Sequence, residues 1–321
     1  MDHLLRDQIP EPEITLTSKG LDATQTHIIE SPEFPGIRVI HSNKEHGQDA
    51  FVIGEGSICI CDGMTKHGKS GLVSEFVAAK VVEKVSEAES IYDAMSQHDF
   101  EEDLKDLSKT LEYEEFDSSG NRYVKKGEEN SGYTTFLTLK TDKEKKLITW
   151  TSVGDSPLII LDKTDTGWSF EMYNTKSAGL TNETFASDDF HKQMQNGGSH
   201  GIGILENGSP EASAVNYVEY GTVTYKKGRI IMAATDWLTK MMADSPETID
   251  ARILDAEGDE KKKLEKSRDT ILSAKNPLFG PKFQPELFFN GQLSDDEIVK
   301  NLISDDDVTM VCIDMDKMFK E

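Results

Sequence analysis

Three apolar runs arrive in quick succession: GIRVIHS at 36–42, DAFVIGE at 49–55 and SICICDG at 57–63. Each has the length and the β-branched content of a strand, and only turns separate them. The texture then changes. Residues 68–85 place Leu72, Val73, Phe76, Val77, Ala79 and Val81 at helical spacing. Residues 88–115 continue with Ile91, Ala94, Met95, Leu104, Leu107 and Leu111, which predicts a second long helix broken near His98. From Gly132 strands return as YTTFLTLK, KLITWTSVG, PLIILDK and WSFEMYN, and later as NYVEYGTVTY, RIIMAAT and DVTMVCIDM. Further helices are expected from Asp236 to Ala243, across the charged block 246–275, and over SDDEIVKNLI with Ser294 as N-cap. Runs of strands segregated from runs of helices favour an α+β fold with antiparallel sheets over a βαβ repeat. The strand count predicts two sheets.

Three regions fall outside this pattern. Residues 1–34, with Pro10, Pro12 and Pro32, read as an extended or partly ordered lead-in. Residues 176–214 have weak periodicity and four glycines between Gly197 and Gly203, and read as a long surface excursion. Residues 246–290 read as a helical insertion. The main domain is therefore expected over 35–316.

The chain has 321 residues and a net charge of −24. That charge argues against nucleic acid or an anionic membrane as the main partner. No run of eighteen apolar residues occurs, and the first twenty residues lack the pattern of a secretory signal. Cys59, Cys61 and Cys312 lie within apolar strand-like runs and read as core residues of a protein from a reducing compartment. A cytoplasmic monomer is the expectation.

The acidic residues carry more information by position than by number. Asp62 follows SICIC, Asp155 follows ITWTSVG and Asp236 follows RIIMAAT. Asp49 precedes AFVIG, and Asp306 and Asp307 precede VTMVCI. Each lies where a buried strand meets a turn. A carboxylate at a core edge is costly unless it is paired or binds a cation. Little cationic material accompanies these positions. One Asp alone at such a place is more often a turn former or helix cap; the set points to hard divalent ions held by carboxylates, a carbonyl and water.

The set also has a familiar order. DGMTKHGKSG at 62–71 resembles the DGMGGHxxG signature of the metal-dependent protein phosphatases, the type 2C serine/threonine family. GQDAF at 47–51 resembles that family's N[EQ]D block, SGYTTFLTL at 131–139 its GTTA block, and SVGDSPLII at 152–160 its VGDSR block. AATDWL at 233–238 resembles its TDG block, and DDDVTMVCI at 305–313 its closing DDxT block. Each motif is weak alone; six in order, from about Gly36 to Asp314, make the resemblance specific.

The resemblance implies a four-layer αββα fold, a β-sandwich of two antiparallel sheets flanked by helices. It implies two Mg²⁺ or Mn²⁺ ions, with room for a third. Asp62 would bridge the two ions and the Gly63 carbonyl would bind one. Asp236 and Asp306 would bind the other, Asp49 would hold metal-bound waters, and Asp155 would take the third. A phosphorylated protein is the implied substrate, and 176–214 coincides with the family's flap. The chain departs from the pattern at several points. Lys44 stands near the place of a phosphate-holding arginine; it either binds phosphate as a point charge or is a solvated turn lysine. Thr65 and Lys66 replace two glycines, Trp237 the glycine of TDG, and Pro157 the arginine of GDSR. His67 matches the motif histidine and either protonates the leaving oxygen or packs the turn. These departures keep open a second reading, a catalytically weak or inactive phosphatase fold that serves as a binding or sensor module.

Overall fold

The computed structural model describes residues 14–111 apart from 24, 32–33, 44–46 and 65–66; 114–116 and 122–124; 131–236 apart from 166, 174–179 and 182–200; 253–254, 257–258, 261–262 and 265; and 307–320. The elements run β1 (Ile14–Thr17), β2 (Thr26–Glu30), β3 (Ile37–Ser42), β4 (Ala50–Gly54), β5 (Ser57–Gly63), α1 (Ser70–Glu87) and α2 (Gln97–Thr110). A small hairpin, β6 (Glu114–Phe116) and β7 (Arg122–Val124), leads to β8 (Gly132–Asp142), β9 (Leu147–Val153), β10 (Leu158–Thr164), β11 (Gly167–Tyr173) and β12 (Leu180–Thr181). Then follow β13 (Ile202–Ile204), β14 (Pro210–Glu211), β15 (Glu219–Thr224), β16 (Ile230–Ala234), β17 (Val308–Asp314) and the short helix α3 (Met315–Met318).

These elements form two compact units. One comprises Met1–Gly20, Ala50–Val153 and His200–Thr224; the other comprises Leu21–Asp49, Gly154–Ser199 and Tyr225–Glu321. Each unit holds one large antiparallel sheet, as the α+β reading expects.

The first unit's sheet runs β1-β4-β5-β8, after which β8 divides its free edge. Its first residues, Gly132 to Thr134, pair with β13, and Phe136 to Asp142 pair with β9, which in turn pairs β15. One face of this sheet presents Ala50, Val52, Cys59, Cys61 and Phe136 to the buried stripe of α1, which includes Val73, Val77 and Val81. Phe100 and Leu104 of α2 join the same core, and Phe100 stacks on Phe136 at 5.9 Å. Cys59 and Cys61 are fully buried there, as core packing requires. Lys84 of α1 pairs with Asp103 of α2 at 2.9 Å and so ties the two helices together.

Three expectations change here. The helix expected over 88–115 begins only at Gln97, where Ser96 Oγ accepts the Asp99 N–H and caps it. The lead-in contributes β1, on the edge strand next to β4, and β2, at the edge of the second sheet. The end of the excursion is core: Ile202, Ile204, Ala212 and Ala214 are buried, and β13 pairs with β8. That pairing is close enough to demand glycine, since a Cβ on Gly203 would lie 2.0 Å from the Gly132 carbonyl oxygen. Of the helix expected at 236–243 only Asp236 is described, in a turn, and the helix expected at 294–303 lies outside the described residues. In the block 246–275 the described positions Ile253, Leu254, Gly258, Lys261, Lys262 and Glu265 are helical, and Glu257 is not.

The second unit's sheet runs β12-β11-β10-β16-β17-β3-β2. Every residue of β3 and β16 is buried, so both faces of its centre are covered. At the far end of β10, Asp162 takes a forked ion pair from Arg229, at 2.7 and 2.8 Å, and a third contact from Lys226 at 2.9 Å. The Arg229 guanidinium, and secondarily Lys226, outweigh partial burial and hold this carboxyl at about 2. A depressed carboxyl stabilises the fold above its unfolded value near 4, and that support disappears as pH falls from 4 towards 2. Asp162→Asn is therefore expected to lower the unfolding free energy by about 1 kcal/mol at pH 7, allowing for solvent screening. Urea unfolding at pH 7 and pH 2 checks this; a loss of equal size at both would contradict it. No helix among the described residues is long and apolar enough to cross a membrane.

Candidate metal centre

In the second unit, the register of β10 on β16 sets Leu158 opposite Ala233, and the Ala234 N–H donates to the Pro157 carbonyl at 3.1 Å. The residues just before β10 and just after β16 are thereby held side by side. Gly154, in the left-handed region at φ 98°, turns the chain ahead of Asp155. The result is that carboxylate oxygens of Asp155 and Asp236 lie within 4.8 Å of each other. Asp155 is buried and Asp236 half-buried. Two ionised carboxylates this near repel, and a divalent cation between them relieves the repulsion. Oxygen donors of this kind suit Mg²⁺ or Mn²⁺ and not a soft metal.

Asp49 belongs to the same neighbourhood. It is 4 % exposed, and its Oδ2 accepts the Thr235 hydroxyl at 2.8 Å. Thr235 immediately precedes Asp236. The stretch carrying Asp49 is pinned twice: Asn43 Nδ2 donates to the Asp49 carbonyl at 2.9 Å, and the Gln48 N–H donates to Asp307 Oδ2 at 2.7 Å. Asp307 is thus a fixed point for the Asp49 segment. Thr235 and Thr309 bind each other through the Thr235 N–H to the Thr309 carbonyl, 2.9 Å, and the Thr309 N–H to Thr235 Oγ1, 3.1 Å. His41 Nδ1 meets Thr309 Oγ1 at 2.9 Å. Burial, with the neighbouring His27 as a lesser cause, pushes His41 down to about 4, so its ring is neutral at physiological pH.

Asp62 and Gly63 belong to the first unit. Strand pairing to β8 continues through both, Asp62 opposite Thr135 and Gly63 opposite Thr134, and Thr134 Oγ1 donates to the Asp62 carbonyl at 3.0 Å. Asp62 is thus the penultimate residue of the core strand, half-buried where the five residues before it are buried. His67 meets Ser131 Oγ through Nδ1 at 2.6 Å, and its ring lies 4.9 Å from that of Tyr133. Both contacts hold the turn after β5. Lys44 and Asp306 lie outside the described residues, as do Thr65, Lys66 and Trp237.

Asp49, Asp155 and Asp236 are among the residues that the sequence pattern singles out. It does not single out Thr235 or His41. Thr235 had a usable signal, a hydroxyl directly before a strand-end carboxylate. His41 had none, because one histidine in an apolar strand reads as core.

No family model and no curated protein matches the chain. Among solved structures it is similar to the serine/threonine phosphatase Stp1 from Staphylococcus aureus, with 14 % identity, a TM-score of 0.41, and coverage of 87 % of this chain and 94 % of that one. It is also similar to PppA from Pseudomonas aeruginosa, with 13 % identity, a TM-score of 0.44, and coverage of 89 % and 99 %. A third is the catalytic domain of the serine/threonine protein phosphatase PstP in complex with two manganese ions, with 12 % identity, a TM-score of 0.41, and coverage of 88 % and 98 %. At these identities and scores, the reading of the site rests on the residues of this chain.

Proposed function

We propose that the chain is a metal-dependent phosphatase of the type 2C kind, acting on phosphoserine or phosphothreonine in proteins. The observation that carries this reading is the approach of Asp155 and Asp236. Two sequence blocks that resemble the family's VGDSR and TDG motifs carry Asp155 and Asp236, 81 positions apart by residue number, and oxygens of the two lie within 4.8 Å of each other. Six motifs in family order support it. In this reading Asp155, Asp236 and Asp306 bind Mg²⁺ or Mn²⁺ with Asp62 and the Gly63 carbonyl, and Asp49 orients water. When bound, the ions supply an acidified water for in-line attack and offset the charge of the phosphate. In the same reading His67 would protonate the leaving oxygen, and Lys44 would contact the phosphate as a point charge. The protein works as a cytoplasmic monomer on a phosphorylated protein.

The test is hydrolysis of p-nitrophenyl phosphate and of a phosphothreonine peptide with added Mn²⁺. Turnover should require the ion and vanish on chelation; activity that survives thorough chelation contradicts the reading. Thr65, Lys66, Trp237 and Lys44 favour a second reading, a binding module on the same scaffold. Bound Mn²⁺ without turnover of either substrate would select it.

A further inference from the structure

We infer that His41, Thr309 and Thr235 are positioning residues that aim the Asp49 carboxylate at the metal centre. This rests on the reading above, in which Asp49 orients water at bound ions. All four residues lie in the second unit and are at most 4 % exposed. The chain of contacts has a direction. The Thr309 N–H occupies a lone pair of Thr235 Oγ1, so the single hydroxyl proton of Thr235 is left to be donated. Two acceptors are within reach, the Thr309 carbonyl at 3.4 Å and Asp49 Oδ2 at 2.8 Å. The shorter bond to a charged acceptor is the stronger. One oxygen of Asp49 is thereby fixed, which sets the plane in which the other points.

Behind Thr235, β17 pairs with β3 so that Thr309 stands opposite His41. The His41 ring fixes the Thr309 side chain at 2.9 Å. A cationic ring here would be a buried charge; the neutral ring is a steady hydrogen-bonding partner. Such buried networks rigidify what they hold when every member is satisfied, and groups that orient metal-site ligands affect ion affinity through that orientation.

The experiment is calorimetric titration of MnCl₂ into the full chain, with thermal unfolding in chelator as the control for folding. Thr235→Val keeps the shape and removes the hydroxyl. It is expected to weaken Mn²⁺ binding by roughly 10–100-fold, while Thr235→Ser, which restores the hydroxyl, binds within about threefold of wild type. A residue that only supports the fold would shift the unfolding temperature without this split between Val and Ser. If Thr235→Val does not fold, Thr309→Val decides, with weakening of about tenfold expected. Variants that bind Mn²⁺ as wild type does overturn the positioning role alone. A wild-type chain that binds no Mn²⁺ overturns the metal reading and this inference with it.

Discussion

Asp236→Asn is expected to lower turnover of p-nitrophenyl phosphate by about a thousandfold while leaving the fold intact. That factor corresponds to about 4 kcal/mol of barrier, within the several kcal/mol that a metal ion supplies to a developing phosphate charge. The substitution is nearly isosteric and removes one negative charge from a pair whose oxygens lie within 4.8 Å. The sign of the stability change is therefore informative. Without metal, loss of the repulsion should leave the unfolding temperature unchanged or slightly higher. With Mn²⁺, the stabilisation that wild type gains from the ion should shrink, because a ligand stabilises only in proportion to its affinity for the folded state. Asp62→Asn is expected to reduce turnover by a similar factor. Steady-state kinetics and thermal melts with and without Mn²⁺ check both variants. Unchanged turnover in the two would refute the assignment.

The largest effect on stability is expected at Phe136. Its side chain is fully buried and stacks on Phe100, in a core that also draws on Val73 and Val77 of α1. Phe136→Ala removes most of a ring from a packed site and leaves a cavity, at a cost of about 3–5 kcal/mol. Against a typical total of roughly 5–15 kcal/mol, this brings the protein close to unfolding at room temperature. Phe136→Leu keeps much of the volume and should cost less than half as much. Urea denaturation at constant pH measures both; a loss below about 1 kcal/mol for the alanine variant would show that β8 and α2 are not packed against each other as described.

The parts of this fold that were legible in the sequence are those whose burial is nearly continuous. β3, β4, β5, β16 and β17 are buried at almost every position, and a buried strand must announce itself as an apolar run. β1 and β2 are edge strands with only intermediate or exposed residues, so ITLT and THIIE carried no such signal among prolines and charges. β13 is three residues long and contains Gly203, and its identity depends on fitting against β8, which no local pattern reveals. The start of α2 depends on a single serine hydroxyl. At the site, strand-end carboxylates could be read because charge at the edge of an apolar run is unusual. Their meeting was expected from the set and from its family order; its physical cause, the register of β10 on β16, leaves no local signal. Thr235 and His41 act through hydrogen bonds across strands, and such contacts leave no periodicity.

The order of the second sheet bears on how the protein is made. β17 lies between β16 and β3, and the contact of His41 with Thr309 closes a separation of 268 positions. A ribosome releases β3 long before β17. In the interval β3 and β16 each show an unoccupied row of backbone donors and acceptors, which is a template for joining a neighbouring nascent chain. Folding during synthesis is thus expected to leave these two strands open to aggregation until β17 arrives between them.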